Sequence, residues 1–166
     1  MGNGYTFPHN LQGRNEIKAG IAQLADQVAV RLRKHGMKCQ GVSLAIRDPN
    51  FRDISRQTRL DPPTDLAREL GQAATALADS CWNMTSPVRA LTVTAIYLIP
   101  ADEAGAQLDL FSANQHKKRQ RLEKLEGTLD VIRAKYGSGA IAPASAPRNP
   151  SQERHAPPPG GTYQED

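Results

Sequence analysis

The stretch GVSLAIRDPNFRDISRQTRL, residues 41–60, predicts two β-strands joined by a tight turn. Val42, Leu44 and Ile46 alternate with small or polar residues, which is the period-two pattern of a strand with one buried and one solvated face. The sequence DPN at 48–50 favours a turn, because proline presets φ and the Asp and Asn side chains bond to nearby backbone. We therefore expect a β-hairpin in the middle of this chain.

The returning strand of this hairpin is rich in guanidinium and hydroxyl groups, and its polar members are Arg52, Ser55, Arg56, Gln57, Thr58 and Arg59. Such groups suit phosphate oxygens, which accept bidentate and charge-assisted hydrogen bonds. The alternative is a solvated edge strand, since charged side chains often cover exposed sheet edges. A bulge near Arg56 would change which side chains face outward. The sequence therefore does not determine which alternate residues of this strand lie on the outward face.

Two amphipathic segments on either side of the hairpin predict helices. Residues 16–35 carry one apolar stripe with helical spacing, which contains Ile17, Ile21, Leu24, Val28 and Leu32. Asn15 is a candidate N-cap for this helix and Gly36 a stop signal. Pro62 and Pro63 break the chain, after which Thr64 is expected to cap a second helix that ends near Trp82.

Strands are expected at 2–7 and 88–100 as well, which gives the order strand, helix, strand, strand, helix, strand. This order predicts an α+β fold in which two helices cover one face of a four-stranded, antiparallel-type sheet. The opposite face would display Ser43, Arg47 and Thr92 or Thr94, with almost no aromatic residues. Stacking of unpaired bases needs aromatic side chains, so this face favours duplex phosphates over single strands.

The charge distribution agrees with an acidic partner for the folded part. The formal net charge is +4 and the pI is about 9.3. Residues 1–100 contain twelve Lys and Arg against eight Asp and Glu, whereas residues 101–166 contain nine of each. The basic excess therefore lies where nucleic-acid binding would need it.

Cysteine and histidine usage points to no metal site and to no disulfide framework. Cys39 and Cys81 are the only cysteines, without C-x-x-C spacing, and are expected to be reduced, half-buried thiols. There is neither an apolar run of transmembrane length nor a signal peptide, which predicts a cytoplasmic protein without a membrane partner. We expect it to be monomeric.

Beyond residue 100 the composition changes, and 1–100 is therefore expected to be the folded domain. Residues 101–114 are interpreted as a flexible linker that contains an apolar cluster without a local core, at Gln107, Leu108, Asp109, Leu110 and Phe111. Residues 115–137 predict a charged, marginal helix with Gly127 in its middle. Residues 138–166, rich in Ala, Pro, Gly and Ser, are expected to be disordered.

Several motifs together resemble the C-terminal portion of a bacterial Y-family translesion DNA polymerase of the DNA polymerase IV type. The motifs are Gly2-Asn3-Gly4-x-Thr6-Phe7-Pro8, Val42-Ser43-Leu44-x-Ile46-Arg47-Asp48, Ile54-Ser55-Arg56-x-Thr58-x-Leu60, Val88-Arg89-x-Leu91-x-Val93 and Leu129-Asp130-x-Ile132-Arg133-x-Lys135-Tyr136-Gly137. Their order and spacing carry the resemblance, which covers about residues 2–139.

The resemblance implies a little-finger domain, the module with which these polymerases hold duplex DNA through backbone and side-chain contacts to phosphates. It implies DNA-binding positions at Asn3, Gly4, Ser55, Arg56, Thr58 and Arg89. Arg47 and Arg59 are added from their chemistry. The sequence of residues 107–111 also resembles the bacterial sliding-clamp-binding motif, Gln-Leu-Ser/Asp-Leu-Phe, and this implies a sliding clamp as a partner.

The palm, fingers and thumb of such polymerases have no counterpart in this sequence, and neither do the carboxylates that hold the catalytic magnesium. We therefore expect a fragment or truncated product that does not polymerise DNA and has no catalytic residue, metal or cofactor of its own. Two alternatives stay open. One is a regulator that occupies the clamp without an upstream polymerase core, and the other is a free-standing RNA-binding α+β domain.

Overall fold

A computed structural model describes residues 1–105, 113–137 and 140–141. Its strands are β1 (Gly2–Leu11), β2 (Met37–Arg47), β3 (Asp53–Thr64) and β4 (Val88–Pro100). Its helices are α1 (Gly13–Lys34), α2 (Ala67–Cys81) and α3 (Ala113–Tyr136), and a short 3₁₀ turn spans Glu103–Gly105. The expected order of strands and helices within the first hundred residues is confirmed.

The four strands form one antiparallel sheet in the order β1-β4-β2-β3. The central hairpin pairs Arg47 with Asp53 next to its turn, and the pairing continues to Gly41 and Arg59. Because β4 inserts between β1 and β2, the outer strands β1 and β3 are both sheet edges. The α+β fold predicted from the sequence is confirmed.

Helices α1 and α2 cover one face of this sheet and bury a single core. Fully buried side chains from both layers include Ile17, Ile21, Leu32, Leu70, Val42, Leu44, Ile46, Leu91 and Val93. The α1 stripe matches the expected one, and Leu24 and Val28 are buried with it. On α2 the buried residues are Leu70, Ala74 and Ala78, so alanine lines the contact with α1. Among the residues that the structure describes, no helix lies on the opposite face of the sheet.

Both edge strands are longer than the sequence suggests, because each passes through proline. β1 continues through Pro8 to Leu11, and its pairing with β4 shifts between Thr6 and Leu11. β3 continues through Pro62 and Pro63. Proline lacks a backbone N–H. A central strand pairs on both sides and needs all of its N–H groups, whereas an edge strand has one unpaired side on which proline is tolerated. The expectations that the first strand ends at residue 7 and that Pro62 and Pro63 break the chain are therefore wrong.

The helix starts also differ from the expected caps. α1 begins at Gly13, so Asn15 lies inside it, and the carboxylate of Glu16 accepts a hydrogen bond of 2.8 Å from the Gln12 N–H. α2 begins at Ala67, and Thr64 is the last residue of β3. Leu66, the N-cap residue of α2, makes no side-chain capping bond.

Helix α3 lies against the domain and is tied to it by charged groups. Its ion pairs and hydrogen bonds with the described part of the domain include Arg33 to Glu126 and Asp130, Lys38 to Glu123, Arg119 to Glu69 and Pro63, and Arg133 to Asp26. The Glu126 carboxylate also accepts a 3.1 Å hydrogen bond from the N–H of Ala67 at the start of α2. The third helix thus supplies the N-terminal acceptor that α2 lacks in its own sequence.

The two cysteines are free thiols. Cys39 is fully buried rather than half-buried as expected, and its thiol lies 3.4 Å from the Thr64 carbonyl oxygen. Burial raises the pKa of Cys39 to about 11, so this thiol stays protonated at neutral pH. Cys81 is half-buried at the end of α2.

Candidate nucleic-acid interface

The face of the sheet opposite α1 and α2 is here called the open face, and the pairing register defines it. Residues directly opposite each other in an antiparallel pair project to the same side of the sheet. Three rows of four residues therefore cross the open face: Gly2-Thr94-Ser43-Gln57, Gly4-Thr92-Ala45-Ser55 and Thr6-Ala90-Arg47-Asp53. Eleven of these twelve side chains are no larger than glutamine, and none is aromatic.

The open face is flat on its β1 side because threonine hydroxyls fill the space above two glycines. A Cβ atom at Gly4 would lie 2.5 Å from Thr92 Oγ1, and one at Gly2 would lie 2.6 Å from Thr94 Oγ1. Any side chain at these positions would displace the threonine. A shallow depression of about 290 Å³ crosses the same region and is lined by Gly4, Tyr5, Thr6, Ala45, Arg47, Asp53, Ala90 and Thr92.

The register also decides which side of β3 faces outward. Ser55 and Gln57 lie opposite Ala45 and Ser43, so they belong to the open face. Arg56 and Thr58 pair with the core residues Leu44 and Val42, so they project toward the helix side. No bulge occurs near Arg56, and the irregularity of this pair lies between Arg59 and Thr64.

Arg59 follows the open-face alternation of β3 and stacks on an aromatic ring. Its guanidinium carbon lies 5.1 Å from the centroid of the Tyr97 ring. Tyr97 has a φ of 53°, which interrupts the alternation of β4 at this point. The pair forms one corner of the open face, and the stacking holds the Arg59 charge in place while its donors stay exposed.

Arg47 lies on the open face but is already paired. Its Nε and Nη2 atoms donate to the two carboxylate oxygens of Asp53 at 2.7 and 2.8 Å. These hydrogen bonds hold the pKa of Asp53 below its usual value and that of Arg47 above it. A phosphate would have to compete with this carboxylate for the guanidinium.

Comparison with known proteins identifies the family. Residues 1–110 match the family model described as impB/mucB/samB family C-terminal domain. The chain belongs to this family. Its relatives include DNA polymerase IV of Acetivibrio thermocellus, 34% identical over 137 residues, and that of Oceanobacillus iheyensis, 32% identical over 157 residues. These alignments cover 82% and 95% of this chain, but 34% and 36% of the relatives.

The chain thus spans about a third of the length of the curated relatives it matches. One solved structure with the same fold is described as a complex of beta-clamp processivity factor and little finger domain of PolIV. It superposes with a TM-score of 0.50 at 19% identity, over 66% of this chain and 96% of that one. The resemblance to the DNA polymerase IV type is confirmed, and this is a little-finger-like domain of the Y family.

Two other positions implied by the family motifs have side chains occupied within the little-finger-like domain. Asn3 hydrogen-bonds to Gln27 of α1 and accepts a long, 3.5 Å bond from Arg31, so its side chain lies on the helix side. Arg89 donates to the Phe7 carbonyl oxygen at 2.8 Å, where the β1 register shifts. Asn3 therefore offers the open face only its backbone.

Of the eight predicted DNA-binding positions, the register brings four to the open face: Gly4, Arg47, Ser55 and Arg59. Asn3, Arg56 and Thr58 alternate to the helix side, and Arg89 is bound to β1. The eight predicted positions do not include Gly2, Thr6, Gln57 or Tyr97, although Gln57 is among the polar residues of the returning strand. Cross-strand pairing is the signal that finds the first three, and it is not visible in one strand alone.

The clamp-like motif Gln107–Phe111 falls outside the residues that the structure describes, so its placement stays a prediction. Across the described ranges, no group of three or more His, Cys, Asp and Glu side chains is arranged to hold a metal ion. None of the helices in those ranges is both long and apolar enough to cross a membrane.

Proposed function

We propose that this chain is the DNA-holding and clamp-tethering part of a translesion DNA polymerase. The observation that supports DNA binding is the open face, where three rows of mostly small residues cross four strands; eight of these twelve residues are polar and none is aromatic. Four strands about 4.8 Å apart make a surface about 14 Å wide, enough to lie along a duplex backbone. The magnesium-binding carboxylates of polymerisation would belong to a palm domain, and this chain would contribute position rather than catalysis.

The chemistry of the open face favours phosphates over bases. Hydroxyl groups of Thr92, Thr94, Ser43 and Ser55 and the Gln57 amide are donors that reach only short distances. Small side chains let a phosphate backbone come close to the sheet, and contacts of this kind position a protein on DNA without reading its sequence. We therefore expect weak binding to duplex DNA without sequence preference.

Arg59 is expected to contribute a phosphate contact, and Arg56, three residues earlier on the same strand, is its matched control. Each phosphate neutralised by a cation contributes about 0.9 to the slope of log K against log salt concentration. Arg59→Ala should lower that slope by about 0.9, and Arg56→Ala should change it less, because Arg56 alternates to the helix side. The measurement is duplex binding by fluorescence anisotropy across a salt series.

Two results of this series would count against the assignment of the open face. Equal slopes for Arg59→Ala and the unchanged protein would remove this corner from the interface. A larger effect of Arg56→Ala would place DNA on the outer edge of β3 instead. Thermal unfolding of both variants shows whether they keep the fold.

Clamp tethering is supported by the motif at 107–111 and by its position directly after the little-finger-like domain. In the proposal, Leu108, Leu110 and Phe111 fill an apolar cleft on a bacterial sliding clamp, and the Gln107 amide satisfies polar groups at its rim. Leu110 and Phe111 are adjacent, so in an extended peptide they point to different sides. The cleft must therefore wrap around the end of the motif.

The clamp motif should bind as an isolated peptide with micromolar affinity, because it is short and must become ordered on binding. Full burial contributes about 1.5–3 kcal/mol for each of Leu110 and Phe111. The test is titration of a bacterial clamp with the 101–114 peptide and with its Leu110→Ala, Phe111→Ala version. Equal binding by the two peptides, or no binding by the native one, would rule out this assignment.

A further inference from the structure

The outward side of α3 concentrates positive charge. Residues 113–136 contain seven Lys and Arg and only three acidic residues, Glu123, Glu126 and Asp130. At 100° per residue, these three acids lie within about 60° of one another on one side of the helix. Arg119 and Arg133 share that side. All five make the ion pairs that attach α3 to the domain.

The opposite side of α3, here called the cationic face, carries Lys117, Arg121, Lys124 and Lys135. These four fall within about 60° of one another and about 180° from the attached side. All four are exposed, and Thr128 between them is exposed as well. Their Cα atoms span about 27 Å along the helix at 1.5 Å per residue. No acidic residue of α3 lies on this face.

We propose that the cationic face of α3 is a second contact surface for duplex DNA, separate from the open face. The inference rests on the proposed function, since it assumes that the same duplex continues past the sheet. Arg119 of α3 donates to the carbonyl oxygen of Pro63, which lies on β3 four residues after Arg59. The helix therefore begins beside the strand that carries the cationic corner of the open face.

The ion pairs of α3 make this surface more than a solvated helix. Because all three acids of α3 are ion-paired with Arg33 or Lys38 on its attached side, none of them lies near the four charges of the cationic face. Attachment at four separate places along the helix also fixes those charges relative to the sheet. Pre-positioned cations lose less conformational entropy on binding phosphate than free side chains on a flexible tail do.

The experiment uses the full chain and a triple variant, Lys117→Gln, Arg121→Gln, Lys124→Gln. The matched control is Lys18→Gln, Lys34→Gln, Arg68→Gln, which removes the same charge from α1 and α2. Binding is measured across a salt series with duplexes of about 8 and about 24 base pairs, which are about 27 and 80 Å long. Glutamine keeps helix propensity, and circular dichroism checks that α3 stays folded.

The expected result is a loss of about 2–3 from the salt slope on the longer duplex for the α3 variant, and a clearly smaller loss for the control. On the shorter duplex the two variants should differ little. Equal losses by both triple variants on the longer duplex would overturn the inference, because net charge would then explain them. The inference would also be overturned if the α3 variant bound poly-glutamate more weakly but bound duplex DNA as the unchanged chain does. The cationic face would then favour an acidic protein partner.

Ala45→Glu on the open face separates this inference from the proposed function. If Ala45→Glu weakens binding and the α3 variant does not, the cationic face is excluded and the open face stands. If the α3 variant weakens binding and Ala45→Glu does not, the open face fails and α3 is the DNA contact. If neither change has an effect, or the unchanged chain binds no duplex, both proposals fail.

Discussion

Replacing Arg33 with alanine is expected to release α3 from the domain. Arg33 is 12% exposed and donates to Asp130 at 2.6 and 3.1 Å, to Glu126 and to the Asp65 carbonyl oxygen at 2.8 Å. Without the guanidinium, the largely buried carboxylates of Glu126 and Asp130 would lose their cation. Removing one partner of a buried ion pair lowers the free energy of unfolding by about 3–5 kcal/mol.

The pKa values around Arg33 agree with this cost. Burial raises the pKa of Glu126 and also that of Asp65, so both carboxylates are held in an environment that disfavours their charge. Burial also disfavours the charged form of Arg33, but its hydrogen bond to Asp130 and the charge of Glu126 outweigh this and raise its pKa. Because the Arg33 charge lowers the pKa of Glu126 and of Asp65, its removal would disfavour their charged forms further.

After loss of the cation, the lowest free-energy cost is expected when α3 undocks, because its acidic side chains then return to water. The isolated helix is then marginal, since it is rich in charge and has Gly127 in its middle. Amide hydrogen exchange should show loss of protection across 113–136 while the four strands keep theirs. Far-ultraviolet circular dichroism should show a matching loss of helical signal.

The control for this prediction is Arg14→Ala, which removes an ion pair with Asp79 whose side chains are 57% and 32% exposed. Exposed pairs contribute about 0.2–1 kcal/mol, so protection of α3 should not change. The prediction is wrong if Arg33→Ala keeps α3 as protected as Arg14→Ala does. Glu126→Gln offers a milder variant, because it removes one charge but keeps an acceptor for the Ala67 N–H.

Ala45→Glu should abolish measurable duplex binding at physiological salt if the open face lies on phosphates. Ala45 is in the middle row, between Thr92 and Ser55, and a carboxylate there would stand at the centre of the contact. Like charges brought together at an interface cost several kcal/mol, and each 1.4 kcal/mol is tenfold in affinity. We expect a loss of at least about 30-fold.

Gln23→Glu is the matched control for Ala45→Glu. It adds the same single charge at an exposed position of α1, on the other side of the molecule from the open face. This control should weaken binding by about twofold or less, because a distant exposed charge is largely screened. Similar affinities for the two variants would show that net charge, and not the open face, governs binding.

The order of strands and helices was predictable because the signals for it are local. Alternation at Val42, Leu44 and Ile46 and the helical spacing from Ile17 to Leu32 each require only neighbouring residues. The strand ends were not predictable in the same way. A proline ends a central strand but not an edge strand, and the sheet order that makes β1 and β3 edges exists only in the folded molecule.

The candidate interface was predictable as a surface but not residue by residue. β3 is polar on both sides, so its alternation does not tell which side faces the core, and pairing with β2 decides it. That pairing places Ser55 and Arg59 on the open face and Arg56 and Thr58 on the other. Asn3 was misleading for a similar reason, since its partner Gln27 lies 24 residues away on α1.

By itself the sequence determined the fold class, the family and the polar character of the open face, because periodicity and motif spacing are properties of short segments. Only the tertiary structure decided the position of α3. Arg33 lies 93 and 97 residues from its acidic partners, and Arg133 lies 107 residues from Asp26. From the sequence alone, such charges would be expected on a solvated surface. Folding brings them together and partly buries them, and it leaves the opposite, cationic face of α3 exposed.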